Sequence, residues 1–286
     1  MSNDIVIEAW NTVLFEKFSR FKHLLIDGLS SHSDEAFSRD LHPKGARVLD
    51  IGCGFGDSTL RISRQVGPEG HAVGVDCAEN FIEVCRQSAR DEEIENVSFL
   101  VADVERDDLQ GPYDKAFARF GTMFFMLPGA AMSNVRRSLK PGGTLTMIVW
   151  RKREDNPWLY AAEQRVREIV PVIDHEDTDA VHCGPGPFSM AGPDMVSDML
   201  TSVGFDKVQF ERFDSDICIG RDLDEAVEFA MALGPAGEII RLAGDEGKAL
   251  EGTVREALNE ELGKFCREDG VWAPSSTWFI SGRNPV

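Results

Sequence analysis

The feature that most constrains the fold is the run Val48-Leu49-Asp50-Ile51-Gly52-Cys53-Gly54-Phe55-Gly56-Asp57, an apolar strand that ends in three glycines within five residues and opens a helix. Glycine lets the backbone adopt left-handed conformations and come close to a ligand. A helix start presents free N–H groups and the positive end of the helix dipole. In an open α/β sheet such a turn sits at the carboxyl end of the first strand, where ligands bind. An ordinary tight turn needs no such density of glycine after an apolar strand.

The surrounding pattern supplies that sheet. Strands are expected over 47–51, 72–76, 97–101, near 115–118 and over 144–150, with helices over 57–66, 79–90 and 130–139 between them. Continuous apolar strands alternating with helices argue a parallel sheet covered on both faces, and right-handed crossovers make it doubly wound. Past Trp150 the alternation loosens into a helix over 158–170, an acidic stretch (Asp174, Glu176, Asp177, Asp179) and a rigid Gly184-Pro185-Gly186-Pro187-Phe188 turn. A helix over 194–202, a strand over 207–213, a helical region over 222–267 and a last strand over 276–282 follow. In the helical region Leu250, Val254, Leu258, Leu262 and Phe265 share one face. Near the start, Trp10, Leu14, Phe18, Phe21 and Leu25 recur every three or four residues. That spacing lines one helix face, either packed on the body or serving as a lid whose aromatic side covers a ligand. With no repeat and no long linker, 1–286 reads as one α/β domain. Its parts are a helical lid (1–44), a cofactor-binding core (45–150), a cap and substrate region (151–206), and C-terminal strands with a helical insertion (207–286).

Composition excludes several classes. At 42% hydrophobic and 28% charged residues the chain can build a core, so disorder is not expected. Thirty basic against 49 acidic residues give a net charge of -19. A surface of that sign repels phosphate backbones and anionic lipids, so neither nucleic acid nor membrane is an expected partner. The six cysteines (Cys53, Cys77, Cys85, Cys183, Cys218, Cys266) form no CxxC pair and no zinc spacing, so no metal is expected. Sparse thiols suit a reducing compartment. Met1-Ser2-Asn3-Asp4 lacks a secretory pattern and no apolar run approaches a membrane span, which makes the cytoplasm the expected location.

Asp76 ends the second strand, twenty residues after Gly56. A carboxylate there can accept hydrogen bonds from both hydroxyls of a ribose, which fits NAD and S-adenosylmethionine equally. Three features tilt the choice toward S-adenosylmethionine. The glycines read GxGxG and not the GxGxxG of dinucleotide binders. Asp50 lies within the first strand, two residues before the first glycine. Ala102-Asp103-Val104 follows the third strand, where a carboxylate can meet an adenine amino group.

Taken together, VLDIGCGFG, the GVD at 74–76, the AD at 102–103 and Leu139-Lys140-Pro141-Gly142-Gly143-Thr144 resemble class I S-adenosylmethionine-dependent methyltransferases over about residues 45–150. Arg119-Phe120-Gly121-Thr122-Met123-Phe124-Phe125, Val149-Trp150 and Asn156-Pro157-Trp158 resemble the ubiquinone/menaquinone-biosynthesis-type subgroup, more weakly through Gly204-Phe205 and beyond. The resemblance implies a Rossmann-like, seven-stranded sheet with an antiparallel last strand, S-adenosylmethionine as cofactor and S-adenosylhomocysteine as product. By position it implies that Gly52, Gly54 and Gly56 cradle the methionine portion while Asp50 orders the loop. It places Asp76 on the ribose, Cys77 beside the adenine, Asp103 and Val104 at the adenine's other edge, and Arg119 with Phe120 under the methyl donor. The chain departs from quinone C-methyltransferases at its start, Ala9-Trp10-Asn11, and has no Asn-Pro-Pro-Tyr-type tetrad after the fourth strand, which argues against methylation of nucleobase amino groups.

Methyl transfer is an in-line displacement, for which positioning supplies much of the rate; effective molarities of ~10⁵–10⁸ M are reached when reactants are well oriented. Thiol, amine or stabilised-carbanion acceptors need no dedicated catalytic residue, whereas a hydroxyl or carbon acceptor wants a general base. Among the six histidines, His71 is read as structural, His42 as a linker residue and His32 as solvated. His23, His175 and His182 can reach the cleft, and no base is assigned. Trp10, Met123, Phe124, Trp150, Trp158 and Phe188, with Met190, are expected to wall an apolar pocket of the kind small molecules occupy. Charge runs such as Asp91-Glu92-Glu93 are read as solvated. The expectation is a monomer or homodimer that methylates a small apolar or aromatic molecule. The rivals are a protein that binds S-adenosylmethionine without methyl transfer and an NAD-dependent oxidoreductase, the latter disfavoured by the glycine spacing.

Overall fold

A computed structural model describes residues 3–39, 42–171 and 186–286; His175, His182, the acids at 174–179 and the first part of the Gly184–Phe188 turn lie outside the described residues. The chain opens with helices α1 (Asn3–Asn11), α2 (Val13–Arg20), a π turn (Leu24–Gly28) and α3 (Ser30–Arg39). The stripe from Trp10 to Leu25 was expected on one continuous helix. It is broken instead at Thr12, where φ is -121° and ψ -99° and the hydroxyl bonds back to the Glu8 carbonyl at 2.7 Å. A side chain that competes for the preceding turn's carbonyl favours such bends.

The sheet then builds in alternation: β1 (Arg47–Ile51), α4 (Asp57–Val66), β2 (His71–Asp76), α5 (Glu79–Asp91), β3 (Val97–Val101), β4 (Tyr113–Arg119), α6 (Pro128–Ser138) and β5 (Leu139–Trp150). After α7 (Pro157–Ile169) and α8 (Pro193–Ser202) comes β6 (Asp206–Gly220). Proline begins each of α6, α7 and α8, where its missing N–H costs nothing. The expected helical region resolves into α9 (Leu223–Ala232), α10 (Gly234–Leu242), α11 (Gly244–Ala249) and α12 (Glu251–Leu262). A two-residue β7 (Cys266–Arg267) and β8 (Gly270–Arg283) end the chain.

The strand order is β3-β2-β1-β4-β5-β8-β6, with β7 paired to β8 as an eighth strand. Pairs from β3 to β5 are parallel, and β8 runs antiparallel to β5 and β6. The doubly wound sheet with an antiparallel final strand is therefore as expected; the short β7 is an addition. Both faces are covered. Along β1, Leu49 and Ile51 enter the larger core, while Val48 joins Phe37, Ile62 and Phe117 on the opposite face. Each such fully buried aliphatic side chain contributes roughly 1.5–3 kcal/mol.

His42 lies in the connection before β1, as expected of a linker residue, and is buried between Phe37 and Phe117. One histidine departs from expectation. His32, read as solvated, is 0% exposed. It lies on α3 against the edges of Phe120, Trp150 and Phe213. The Ser275 hydroxyl is directed to the Ser215 carbonyl at 2.7 Å, so His32 Nε2 donates to Ser275 Oγ (2.8 Å), while the Thr277 hydroxyl lies 3.2 Å from both His32 Nδ1 and the Phe213 carbonyl, with one proton to serve the two. Burial, with the Arg119 charge nearby, pushes its pKa down to about 4, so the ring is neutral.

Candidate functional site

The glycine turn is organised from below. Asp50 points from β1 toward α4, fully buried, and accepts hydrogen bonds from the Ser58 and Thr59 hydroxyls at 2.6 Å each. This ties the first turn of α4 to the strand. Burial nevertheless pushes the carboxyl up to about 6, the two hydroxyl donors acting in the opposite direction. Gly56 caps α4 at φ +80°, and a Cβ there would fall 2.8 Å from Cys85 Sγ, so only glycine fits. Gly54 also has a left-handed φ, +52°, but a Cβ on it would meet open space, because this residue lines a cavity.

Asp76, at the end of β2, holds the turn from the other side. Its Oδ2 accepts the Gly54 N–H at 3.1 Å and its Oδ1 the Ala78 N–H at 3.0 Å. Burial raises this carboxyl against those hydrogen bonds. The Cys77 N–H also hydrogen-bonds this carboxylate; with about four lone-pair sites on a carboxylate, its cavity side keeps room for a ligand donor. The neighbouring Cys77 thiol is pushed up to about 12 by burial, with Asp76 and Asp103 adding to it; it stays protonated and acts as an apolar contact. Asp103 accepts the Glu105 N–H at 3.0 Å and pairs with Arg106 Nε at 3.1 Å. Arg119, ending β4, donates to Asp57 Oδ1 at 2.8 Å and to Ser33 Oγ at 2.9 Å. Phe120, at φ +57°, stacks on Trp150 with centroids 4.3 Å apart.

These groups converge on one cavity of about 1100 Å³, counting the solvent at its mouth, over the carboxyl ends of β1, β2, β3 and β4. Gly52, Gly54, Asp76, Cys77, Asp103, Val104, Arg119 and Phe120 line it from the sheet side. Trp10, Phe18 and Leu25 line it from the N-terminal helices, and Phe124 from the segment after β4. Trp10 sits edge-on to both Phe18 (5.1 Å) and Phe124 (5.2 Å). Gly56 and Asp50 stand behind this wall and position it.

Met123, Trp150, Trp158 and Phe188 are placed elsewhere, in the core behind Phe120. The Trp150 N–H points at Met123 Sδ (3.4 Å), Trp158 stacks on Phe229 (5.9 Å), and the Arg153 guanidinium covers Phe188 (5.4 Å). Met190 is buried with them. Their aromatic surface is consumed by α7 and α9, elements whose docking no local pattern reveals. Conversely, Phe55, Phe81 and Glu105 line the cavity without having been singled out. The signal for Phe55 was its place between two glycines, and for Glu105 its place two residues past Asp103. His23 is held by Glu225 Oε1 at 3.1 Å, away from the cavity. Among the described residues that line it there is no histidine, lysine or tyrosine.

The arrangement fits an adenosyl sulfonium: a glycine turn open to ligand at Gly54, a carboxylate with room for a ligand donor at Asp76, and a second carboxylate with an apolar neighbour at Asp103 and Val104.

The sequence family described as "Methyltransferase domain" matches residues 42–179. The demethylmenaquinone methyltransferase of Listeria welshimeri is 28% identical over 131 residues, covering 46% of this chain and 56% of that protein. The chain thus spans about half the length of the curated relatives it matches. The YcgJ protein from Bacillus subtilis superimposes with a TM-score of 0.55 at 18% identity, over 90% of this chain and 99% of that one. Phosphoethanolamine N-methyltransferase 2 of Haemonchus contortus, in complex with phosphomonomethylethanolamine and S-adenosylhomocysteine, gives 0.53 at 15% identity, over 91% and 54%. At such identities these structures establish the shared fold. Over residues 42–179 the chain is thus similar to methyltransferase domains, and its strand order is the fold shared with these solved structures.

Proposed function

We propose that the protein binds S-adenosylmethionine over the β1–β4 ends and transfers its methyl group to a small, apolar or aromatic molecule held beneath the N-terminal helices. The observation that carries this reading is the continuity of the cavity, from the Gly54–Asp76–Asp103 wall to the Trp10–Phe18–Phe124 wall. Asp76 would take the ribose hydroxyls, Gly52 and Gly54 would offer backbone to the methionine portion, and Asp103 with Val104 would border the adenine. Arg119 and Phe120 would lie at the methyl donor. Bound S-adenosylmethionine supplies an activated methyl on a sulfonium centre. The chain's part is to orient the acceptor and exclude water, which the apolar wall does by leaving water few partners. Well-oriented reactants gain roughly 7–11 kcal/mol of barrier, and the described residues on the wall include no histidine, which suits an acceptor with its own nucleophilic lone pair.

Thermal unfolding in excess S-adenosylhomocysteine, and separately in NAD and NADH, tests the cofactor. A ligand at a hundred times its dissociation constant stabilises by ~2.7 kcal/mol. A rise in melting temperature with S-adenosylhomocysteine alone, followed by S-adenosylhomocysteine release from S-adenosylmethionine in the presence of an acceptor, is the expected outcome. A rise only with the nicotinamides overturns the reading, and binding without turnover of any acceptor reduces it to a binding protein.

A further inference from the structure

We infer that the acceptor is a hydrophobic amine, docked by the Glu105 carboxylate against the Trp10–Phe124 wall; this rests on the methyl-transfer reading and names its substrate class. Glu105 lines the cavity, and its Oε1 accepts the Met126 N–H at 2.6 Å, which sets the side chain beside Phe124 and Phe125. The next residue, Arg106, reaches Asp4 of α1 at 2.9 Å. Glu105 therefore lies between the post-β4 segment and the N-terminal helix, on the acceptor side of the cavity. No hydrogen bond or ion pair engages its Oε2 among the described residues. Glu105 is half-buried, so this oxygen is open to a donor from a ligand that displaces water at the aromatic wall.

The surrounding charges decide the sign of that ligand. The cavity's ionisable side chains, thiols aside, are Asp57, Asp76, Asp103, Glu105 and Arg119. Arg119 is committed to Asp57 and Ser33, and the nearby Arg106 to Asp4 and Asp103. Among the described lining residues no cation is left over for an anionic acceptor; Lys22, outside the lining, lies over the Phe55 ring at 5.2 Å, and a phenolate, thiolate or carboxylate at the Trp10–Phe124 wall would have to approach Glu105. An amine meets neither obstacle. Its N–H groups hydrogen-bond a carboxylate, and an ammonium is further attracted to aromatic rings within about 6 Å.

The reaction also suits this field. An amine docked as its ammonium first loses a proton to water; the unprotonated nitrogen then uses its lone pair to form the N–CH₃ bond, and the S–CH₃ bond breaks with its electron pair left on sulfur. Positive charge passes from sulfur to nitrogen, and the methylated ammonium releases one proton to water. Across the displacement itself, before that proton leaves, the cavity keeps one positive charge, and a carboxylate at the acceptor end favours the step as charge moves toward it.

Titration calorimetry with phenethylamine, phenethyl alcohol and 3-phenylpropionate, on protein saturated with S-adenosylhomocysteine and on protein without it, tests the inference. The amine should bind at least about ten-fold more tightly than the alcohol, with the carboxylate weakest. Glu105→Gln keeps an oxygen for the Met126 N–H and should bring the amine-to-alcohol ratio toward one. Mere loss of loop structure would weaken both ligands and preserve the ratio. Equal binding of the alcohol, tighter binding of the carboxylate, no binding of the amine at millimolar concentration, or an unchanged ratio in Glu105→Gln overturns the assignment. Failure of S-adenosylhomocysteine to bind would instead sink the methyl-transfer reading, while the titrations without it still decide the preference for amines.

Discussion

The glycine turn and helix α3 each bury one titratable side chain next to the cavity, and they do it in opposite ways. Asp50 takes its partners, both at Oδ2, from hydroxyls eight and nine residues along the chain, and its buried Oδ1 has none. His32 finds its partners 243 and 245 residues away, on β8. Burial raises the pKa of Asp50 to about 6 and lowers that of His32 to about 4, so in both cases it is the neutral form that the fold prefers. The contrast separates two sources of order. One is a local device written within ten residues; the other is a long-range clamp that joins an N-terminal helix to the last strand of the sheet.

The clamp is the easier of the two to break. Replacing His32 by Ala should cost about 3–5 kcal/mol, as for other buried aromatic truncations, with the Ser275–Thr277 pair left short of a partner; chemical denaturation would read the loss. A cost below about 1 kcal/mol would mean that α3 is held by other contacts.

pH separates the two groups more sharply. His32 has a folded pKa below its ordinary 6.5, so its protonation penalises the fold, and stability falls as pH drops from about 6.5 through 4. Asp50 has a folded pKa above its ordinary 3.8, so its contribution is full below that value and is lost as pH rises through about 6. Each shift of two or more units corresponds to about 3 kcal/mol at 1.36 kcal/mol per unit. Asp50→Asn should therefore gain about 3 kcal/mol relative to the wild type between pH 4 and pH 8. His32→Gln should gain a similar amount relative to the wild type as pH falls from 7 to 4. Parallel denaturation series at these pH values check both signs.

Smaller effects belong to ligand binding. Asp76→Ala should weaken S-adenosylhomocysteine by roughly 1.5–3 kcal/mol, the worth of hydrogen bonds to a charged group; unchanged affinity by calorimetry would remove the ribose role. Gly54→Ala should cost the fold only about 1–2 kcal/mol, the strain of a left-handed residue, since its methyl meets open space. In the same protein S-adenosylhomocysteine should bind markedly more weakly, because that space is the ligand's. A variant that unfolds yet binds normally when refolded by ligand would contradict this placement.

What could be read beforehand follows the same division. The spans of β1, α4 and β3 match the sequence patterns residue for residue, because apolar runs and glycine punctuation are local signals. The residues that line the sheet side of the cavity were also legible, since a left-handed turn and carboxylates at strand ends carry their own chemical reasons. The aromatic wall was not. Trp150 and Trp158 share their composition with Trp10 and Phe124, but whether a ring faces a ligand or a neighbouring helix depends on how α7 and α9 dock. The stripe from Trp10 to Leu25 suggested one helix, and the break at Thr12 divides its residues between cavity and core: Phe18 faces the ligand side while Phe21 packs on Phe229.

The position of β8 bears on how the chain is made. It is the last strand in sequence yet lies between β5 and β6, with Thr144–Trp150 on one side and most of β6 on the other. During synthesis β5 and β6 must both wait with open edges, and α3 waits for Ser275 and Thr277, until residues 270–283 leave the ribosome. Unpaired edges of that kind invite pairing with other chains, and pairings between distant segments form slowly. A nascent chain halted before residue 270 should therefore be the species most prone to aggregate and to engage chaperones, whereas one carrying β8 can close its sheet in a single final step.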